Sequence, residues 1–166
     1  MTITVHSVSP ADEETIELVA QRMRQTLVEV LGEEATRRQE RQDPALARGY
    51  GDRARFHLDP HRSQGAIFVA REGVETIGHI IVRVESEDGG SIGYFSTIYV
   101  DPRSRRQNAA RLLLDTGEAW LRARGMRRFV TYTDKDNTPL ISLYSRAGFR
   151  LVPGAPLEMV KLEKQD

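Results

Sequence analysis

Apolar positions recur along the chain with two periods, and the change of period separates predicted helices from predicted strands. The first residues, Thr2–Val8, alternate as a short strand does. After the helix-start signal at Ser9–Glu14, apolar residues from Ile16 to Leu31 repeat at helical spacing, and Gly32 ends or interrupts that helix. Residues 33–48 have the pattern of a second and more polar helix.

The next segment, residues 49–65, combines glycines, a proline and mixed charges, which predicts a loop. His57 and His61 are four positions apart within it, but Asp59-Pro60 lies between them and argues against a shared helix face. We therefore expect both histidines to be loop residues. A loop of this length in a compact domain more often has a function than not.

The middle of the chain has the pattern of an antiparallel meander. The predicted strands are Ala66–Ala70, Glu75–Glu85 and Ser91–Val100. The turn signal Asp88-Gly89-Gly90 indicates that the second and third of these strands form a hairpin.

The last third of the chain alternates helices with strands. The predicted elements are a helix from about Gln107 to Arg124, a strand at Phe129–Thr133, a short helix at Thr138–Ala147, and strands at Phe149–Val152 and Glu158–Leu162. A strand-helix-strand unit is parallel and right-handed, whereas the meander is antiparallel. The order predicts a mixed α/β (α+β) fold with a twisted, mostly antiparallel central sheet, one parallel pair, and helices on both faces.

Composition narrows the class of protein. A chain of 166 residues with 39% hydrophobic and 29% charged residues is typical of one soluble globular domain, here residues 1–166, and excludes disordered and fibrous classes. The absence of cysteine excludes disulfides, thiolate metal sites and a cysteine nucleophile. The four histidines form no metal-ligand pattern, so we expect no metal. No apolar run is long enough to cross a bilayer, and the first residues are unlike a signal peptide, which predicts a cytoplasmic protein without a membrane partner.

Charge is unevenly distributed along the chain. The net charge is zero, which argues against a general nucleic-acid partner. Residues 101–128 nevertheless carry 8 basic and 3 acidic side chains, a net charge of +5. This basic segment is typical either of a site for a small polyanion or of a solvated helix face.

The basic segment follows a strand that Asp101-Pro102 stops, and it leads into a helix that begins with the small residues Ala109 and Ala110. N–H groups at a helix N-terminus are unpaired donors, and the helix dipole favours anions there. Small residues allow a phosphate to approach the backbone, so the pattern predicts a phosphate or pyrophosphate cradle. It lacks the Gly-Lys-Ser/Thr ending of a P-loop, and it is also typical of a polar surface turn before an amphipathic helix.

Two sequence motifs, found in the order expected for one known protein family, give this part of the chain a family resemblance. The first is Tyr99-Val100-Asp101-Pro102 followed by Arg105-x-x-Asn108-x-Ala110, and the second is Asn137 followed by Tyr144-x-x-x-Gly148-Phe149. Together they resemble the GNAT superfamily of N-acetyltransferases over about residues 66–163. The resemblance implies a splayed parallel strand pair, an acetyl-CoA-binding core in residues 66–163, and an acceptor side built by the strand and helices of residues 1–65.

The chain departs from the family at one loop position, where Asn108 replaces the central glycine. Asparagine tolerates left-handed backbone better than most residues, so we expect the turn to form. The Asn108 side chain then stands where it can crowd the pyrophosphate or donate to it.

The resemblance also implies roles for individual residues. The backbone groups of Ile98, Tyr99 and Val100 would bind the pantetheine arm, and Asn137 would contact that arm or its supporting loop. Tyr144 would protonate the leaving thiolate, although its spacing is equally typical of a core residue. The pyrophosphate would be held by the N–H groups of Arg106, Gln107, Asn108, Ala109 and Ala110, with Arg105 and Arg111 nearby.

Acetyl transfer to an amine needs a neutral nitrogen, and therefore a base or a water relay. In several relatives the base is a glutamate on the strand before the loop, where this chain has Ser96, which can position a water. Glu85 and His79 on the partner strand are the alternatives, although Glu85 is more typical of a solvated residue and His79 of a core residue.

We therefore predict an acetyl-CoA-dependent N-acetyltransferase that transfers the acetyl group directly to a primary amine, on a small molecule, a peptide N-terminus or a lysine. The alternative from another class is a CoA-binding or regulatory module on the same fold with degenerate catalysis. A nucleotide- or nucleic-acid-binding domain is a third reading of the arginine-rich loop, disfavoured by the zero net charge. By analogy with the family, a homodimer is one candidate assembly.

Overall fold

The computed structural model describes residues 2–47, 49–105 and 108–166, which form one mixed sheet with helices on both faces. The strands are β1 (Ile3–Ser7), β2 (Gly65–Glu72), β3 (Glu75–Glu87), β4 (Gly90–Val100), β5 (Arg128–Asp134), β6 (Arg150–Val152) and β7 (Met159–Gln165). The helices are α1 (Glu13–Leu31), α2 (Glu33–Gln42), α3 (Pro44–Ala47), α4 (Tyr50–Leu58), α5 (Ala109–Arg122) and α6 (Thr138–Arg146).

The sheet has the strand order β1-β2-β3-β4-β5-β7-β6. Its neighbouring strands are antiparallel except β4 and β5, which are parallel. This confirms the predicted mixed sheet. The hairpin signal is also confirmed, because β3 and β4 pair up to Glu87 and Gly90, and Asp88 and Gly89 in the turn between them both have positive φ.

The parallel pairing of β4 and β5 is short. It covers three positions and ends where Phe95 lies opposite Thr131, although β4 continues to Val100. Just beyond this point the register between β3 and β4 shifts, so that Ser96 is an extra residue between Phe95 and Thr97. Such a bulge bends a strand and increases its twist. The bend turns β4 away from β5, and within the described residues no strand pairs with the last residues of β4 on that side.

Helix α5 covers one face of the sheet, and α1 and α4 cover the other. Gly117 of α5 allows a close approach, because a Cβ there would lie 3.0 Å from Cγ1 of Val82 on β3. The α5 face buries Phe95, Leu113 and Leu121, and the opposite face buries Ile16, Val19 and Ile81. The two clusters confirm the prediction of helices on both faces.

Helix α1 is packed along only part of its length. It begins after Asp12, whose carboxylate accepts from the Thr15 N–H at 3.1 Å, within the predicted start signal Ser9–Glu14. Its buried positions run from Thr15 to Met23, and every residue from Arg24 to Leu31 is at least partly exposed. The second half of α1 therefore projects beyond the packed sheet. No helix in the three described ranges is long and apolar enough to cross a membrane.

The prediction of a loop over residues 49–65 is wrong for its first part, because Tyr50–Leu58 forms α4. The glycine and proline signals that predicted the loop lie mainly at the boundaries of this helix. Gly49, with a φ of 91°, precedes it, and Pro60 follows it. Between them Ala54 is fully buried against α1. The spacing of Tyr50, Ala54 and Leu58 is helical. The prediction of a loop gave more weight to the neighbouring glycine and proline residues than to this spacing.

His57 is consequently a buried helix residue, 2% exposed, and its predicted place in a loop is corrected. Its Nε2 accepts from Nη1 of Arg83 at 2.8 Å, so Nδ1 carries the proton and donates to the Arg53 carbonyl at 2.9 Å. Burial lowers the pKa of His57 to about 4. His61 does lie in the turn after α4, as predicted, where its N–H donates to Asp59.

Candidate functional site

Two clefts meet where β4 leaves β5. The first cleft, about 610 Å³, is bounded by the second half of α1, the end of β4, the start of α5 and helix α6. The second cleft, about 470 Å³, is bounded by α1 to α4 and by β4, β5 and the start of β7. Five residues line both: Thr26, Val30, Ile98, Asn137 and Leu140. The separation of the strands therefore joins two chambers at Ile98.

The loop after β4 builds one wall of the first cleft. Asn108 has φ of 66°, in the left-handed region, and precedes α5 as its N-terminal cap residue, which confirms the expectation that asparagine forms this turn. Ala109 behind it is buried, and Ala110 lines the cleft. The first turn of a helix leaves N–H groups without an intrahelical partner, so this end of α5 is suited to an anion. Arg106 and Gln107, predicted to contribute N–H groups here, lie outside the described residues.

Arginine side chains beside this wall are already hydrogen-bonded. Arg105 donates from Nε to the Val100 carbonyl at 2.8 Å and from Nη2 to Oε2 of Glu29 at 2.7 Å. Arg111 donates to Asp115 at 3.0 Å and to the Arg146 carbonyl at 3.4 Å, and it is not among the described residues that line the first cleft. Arg105 is thus the nearer of the two predicted arginines to a bound anion.

Helix α6 forms the opposite wall, and Asn137 fixes its start. The Asn137 side chain accepts from the Leu140 N–H at 3.3 Å and donates to Oγ1 of Thr133 at 3.3 Å. The amide therefore joins the end of β5 to the first turn of α6. Asn137 lines both clefts.

Tyr144, predicted from the resemblance to stand beside the leaving thiolate, is a buried residue of α6. Its ring is 1% exposed, packs edge-on against Phe95 and Phe149, and is not among the described residues that line either cleft. Its hydroxyl interacts with the Thr131 side chain, which itself donates to the Phe95 carbonyl at 2.9 Å. Burial raises the pKa of Tyr144 well above its ordinary value. The phenol thus lies in the core beneath the point where the strands separate.

The predicted base candidates are dispersed by the structure. Ser96, the bulge residue of β4, lines the second cleft. Glu85 pairs with Arg83 at 2.8 Å and lies five positions along β3 from Ile80, the partner of Ile98, or about 16 Å away. Among the residues with described side chains, those that line the clefts do not include Glu85.

His79 is a core residue, as its surroundings in the sequence indicate. It is 1% exposed, and its Nε2 lies 3.1 Å from Oγ1 of Thr97, which faces the second cleft. Burial, reinforced by the charge of Arg22, lowers the pKa of His79 to about 3. The imidazole is therefore neutral at ordinary pH. The structure describes no group of three or more histidines, aspartates or glutamates placed to hold a metal ion in the ranges it covers.

The second cleft contains functional candidates that sequence reasoning did not rank. Tyr94 and Tyr132 face it from β4 and β5 with ring centroids 6.2 Å apart. Its charged lining consists of Asp43, Arg53, Asp134 and Glu158. The alternation of residues along the strands predicts that Tyr94 and Tyr132 lie on one face of the sheet. The other residues that line the second cleft come from segments far apart in the chain, which the alternation does not relate.

Comparison with known proteins gives a family and a set of relatives. The family model described as the acetyltransferase (GNAT) family matches residues 25–149. The chain is 30% identical over 94 residues to a mycothiol acetyltransferase of Geodermatophilus obscurus and 35% identical over 98 residues to one of Arthrobacter sp. (strain FB24). These matches cover 55% and 58% of the chain and 30% of each relative, so the matched part spans under a third of their length.

Solved structures share the fold over the whole chain. The PaiA N-acetyltransferase from Thermoplasma acidophilum, in complex with coenzyme A, has a TM-score of 0.76 and 20% identity, with 100% of each chain covered. An acetyltransferase from Thermus thermophilus has a TM-score of 0.72 and 16% identity, with 100% of this chain and 98% of that one covered. The splayed sheet is thus a fold found in acetyltransferases.

Proposed function

The chain belongs to the GNAT acetyltransferase family, and from that premise we propose that it is an acetyl-CoA-dependent N-acetyltransferase acting by direct transfer to a primary amine. The observation that carries the proposal is the meeting of two clefts at Ile98, where β4 parts from β5. Direct transfer needs two ligands to reach each other through such an opening. The amine belongs to a small molecule, a peptide N-terminus or a lysine.

Acetyl-CoA is assigned to the first cleft because the donors there suit an anionic, extended ligand. The N–H groups of Asn108, Ala109 and Ala110 begin α5, where the helix dipole favours a pyrophosphate. Arg105 and Arg146 add positive charge to the lining. Beyond the parallel pairing with β5, the side of β4 away from β3 offers the main-chain groups of Ile98 and the N–H of Val100 to the pantetheine arm, as an exposed strand does to a peptide. The alternation of the ladder turns the main-chain groups of Tyr99 toward His79 on β3.

The amine is assigned to the second cleft and attacks the thioester carbonyl through the opening at Ile98. A C–N bond forms, the backbone N–H near Ile98 stabilises the oxyanion, and collapse breaks the C–S bond. A thiol with a pKa of about 8.5 is a good leaving group as the thiolate, so this step does not depend on a strong acid. The chain has no cysteine, and an acetyl-cysteine intermediate is therefore excluded.

Proton removal from the amine is assigned to a water held by Ser96. The Ser96 hydroxyl lines the second cleft at the bulge, next to the opening. We assign no proton transfer to Tyr144 or Glu85, because the first is buried in the core and the second lies along β3 away from the opening. The water delivers the proton to solvent, and the neutral amine attacks. The nitrogen loses its second proton when the intermediate collapses, and that proton neutralises the released thiolate to the thiol.

One alternative has an observation in its favour. A CoA-binding module with degenerate catalysis would also have an intact first cleft, a serine at position 96 and a buried Tyr144. It differs from the proposed enzyme in what happens after acetyl-CoA binds. Binding alone cannot distinguish the two, so the test needs a binding step and a turnover step.

The test is isothermal titration with acetyl-CoA, with CoA and ATP as controls, followed by an assay of thiol release across amines of different classes. We expect micromolar binding of acetyl-CoA and of CoA, weak binding of ATP, and amine-dependent thiol release. Failure to bind at millimolar acetyl-CoA would refute the proposal. Tight binding without thiol release for any amine class would favour the binding module.

A further inference from the structure

The second half of α1, residues 24–31, forms a roof over both clefts. Thr26 and Val30 line both of them, and Glu29 lies between these two on the same side of the helix and lines the first cleft. Every residue of this segment is at least partly exposed, in contrast with the buried positions from Thr15 to Met23. The position of the roof therefore depends on contacts made at its surface rather than on core packing.

One such contact crosses the first cleft. Glu29 Oε2 accepts from Nη2 of Arg105 at 2.7 Å, and the same guanidinium donates from Nε to the Val100 carbonyl at 2.8 Å. Arg105 thereby joins the roof to the end of β4. Glu29 and Arg105 are 76 positions apart in the sequence, and both line the first cleft.

The same guanidinium stands beside the predicted place of the pyrophosphate, before the N-terminus of α5. A phosphate bound there and the Glu29 carboxylate would compete for one cation. The carboxylate also repels an anionic ligand across the cleft. Glu29 is therefore opposed to binding in two ways, one through Arg105 and one through space.

We propose that Glu29 sets the affinity of the first cleft by forming a clasp with Arg105, which a pyrophosphate opens by taking over the guanidinium. The inference rests on the proposed function, since the ligand is acetyl-CoA. Opening of the clasp releases the roof segment that also bounds the second cleft. Cofactor binding thus becomes linked to the shape of the acceptor side.

In the opposite role, Glu29 would orient Arg105 toward the phosphates. Loss of the Glu29 carboxylate would then change the acetyl-CoA affinity in the opposite direction. If Glu29 orients Arg105, loss of the carboxylate weakens acetyl-CoA binding. If Glu29 competes with the phosphates, the same change strengthens binding. The sign of one substitution therefore decides between the two roles.

The test is isothermal titration of acetyl-CoA into wild type, Glu29→Gln and the control Glu17→Gln, all at one salt concentration. Glu17 is an exposed acid on the same helix, away from both clefts, and its substitution removes the same charge. An exposed ion pair is worth a small energy, so we expect Glu29→Gln to bind about two- to fivefold more tightly and Glu17→Gln to match wild type.

A double-mutant cycle separates the clasp from simple repulsion. In an Arg105→Gln background, Glu29→Gln should raise acetyl-CoA affinity by clearly less than it does in the Arg105 protein, because the cation for which the two anions compete has been removed and only the repulsion through space remains. A gain of the same size in that background would assign the effect to repulsion and overturn the clasp. Hydrogen exchange of the ligand-free proteins gives a second readout, and residues 24–31 should exchange faster in Glu29→Gln than in Glu17→Gln.

The outcomes are distinguishable from those of the proposed function. Wild-type protein that fails to bind acetyl-CoA refutes the proposed function and the clasp together. Wild-type binding with unchanged or weaker binding by Glu29→Gln refutes the clasp and leaves the proposed function standing. Tighter binding whose gain is clearly smaller in the Arg105→Gln background supports the clasp.

Discussion

The first and second clefts meet at Ile98 but are built in different ways. The described lining of the first cleft comes largely from residues 98–105, Ala110 and residues 136–146, together with one side of α1. Its predicted ligand contacts are mainly main-chain groups at a strand edge and a helix N-terminus. The second cleft is lined by residues from five helices and three strands.

Because of this difference, the two clefts should tolerate amino-acid substitutions differently. A site made of main-chain groups survives substitutions that keep the backbone path, and Asn108 keeps the left-handed turn in place of glycine. A site made of side chains changes its ligand whenever one of those side chains changes. We therefore expect cofactor binding and acceptor choice to respond to different substitutions.

The largest expected effect is on the first cleft. Ala110→Asp places a carboxylate in the first turn of α5, where it favours the helix but repels the pyrophosphate. Because such like-charge contacts cost several kcal/mol, we expect acetyl-CoA binding to weaken about 100-fold with the fold intact. The control is Ala119→Asp, at an exposed position near the other end of α5. Equal affinities of the two variants by titration would contradict the assignment of this cleft.

The second cleft should be separable from the first. Leu27→Trp fills part of the second cleft from α1, and Leu27 is outside the described lining of the first. We expect acetyl-CoA affinity to stay within about twofold, while amine-dependent thiol release falls about tenfold, as overpacking of a site commonly costs about 1–3 kcal/mol. Leu27→Met is the matched control. A parallel loss of cofactor binding would mean that the clefts are one site.

The face of the sheet next to α1 and α4 should be the acid-sensitive one. His57 and His79 are buried there with pKa values lowered to about 4 and about 3, so unfolded chains bind protons near pH 6.5 that the folded protein does not. The free energy of unfolding should therefore fall as the pH drops below about 6.5, by up to about 1.4 kcal/mol per pH unit for each histidine. Urea denaturation at pH 7, 6 and 5 measures this slope.

His57→Gln is the matched variant for that slope, because an amide can also accept from Arg83 and donate to the Arg53 carbonyl. We expect it to reduce the acid sensitivity by about half, since one of two titrating groups is removed. An unchanged slope would place the acid sensitivity elsewhere in the molecule.

The smallest expected effect concerns Tyr144, beneath the point where the clefts meet. Tyr144→Phe removes a buried hydroxyl that interacts with Thr131, which should cost about 1 kcal/mol and lower the melting temperature by about 2–4 °C. Thiol release should stay within about threefold of wild type. A general acid commonly raises the reaction rate about 100-fold or more. A loss of thiol release of that size with normal acetyl-CoA affinity would support the general-acid role of Tyr144 that the resemblance implies.

The elements that were predictable depend on local pattern. Strand alternation, the Asp88-Gly89 turn and the helix start after Asn108 are each encoded within a few residues. The first cleft was predictable for the same reason, because its main-chain donors follow from a strand, a turn and a helix in sequence. The helix α4 was missed because Gly49 and Pro60 mark boundaries, and boundary signals alone do not exclude a helix between them.

The features that were not predictable depend on contacts between distant segments. Tyr144 lies at the spacing of both a core residue and a site residue, and only packing against Phe95 and Phe149 places it in the core. The lining of the second cleft and the pairing of Glu29 with Arg105 join segments that periodicity does not relate. Side-chain sites of this kind are determined by the fold rather than by a motif.

The most direct test of the account is a crystal structure of the protein with bound coenzyme A. The account predicts the ligand in the first cleft, with its pyrophosphate at the N-terminus of α5 and its thiol at the opening between Ile98 and Asn137. Coenzyme A bound elsewhere, or with its thiol turned away from that opening, would contradict the claim that the parting of β4 and β5 is where the two substrates meet.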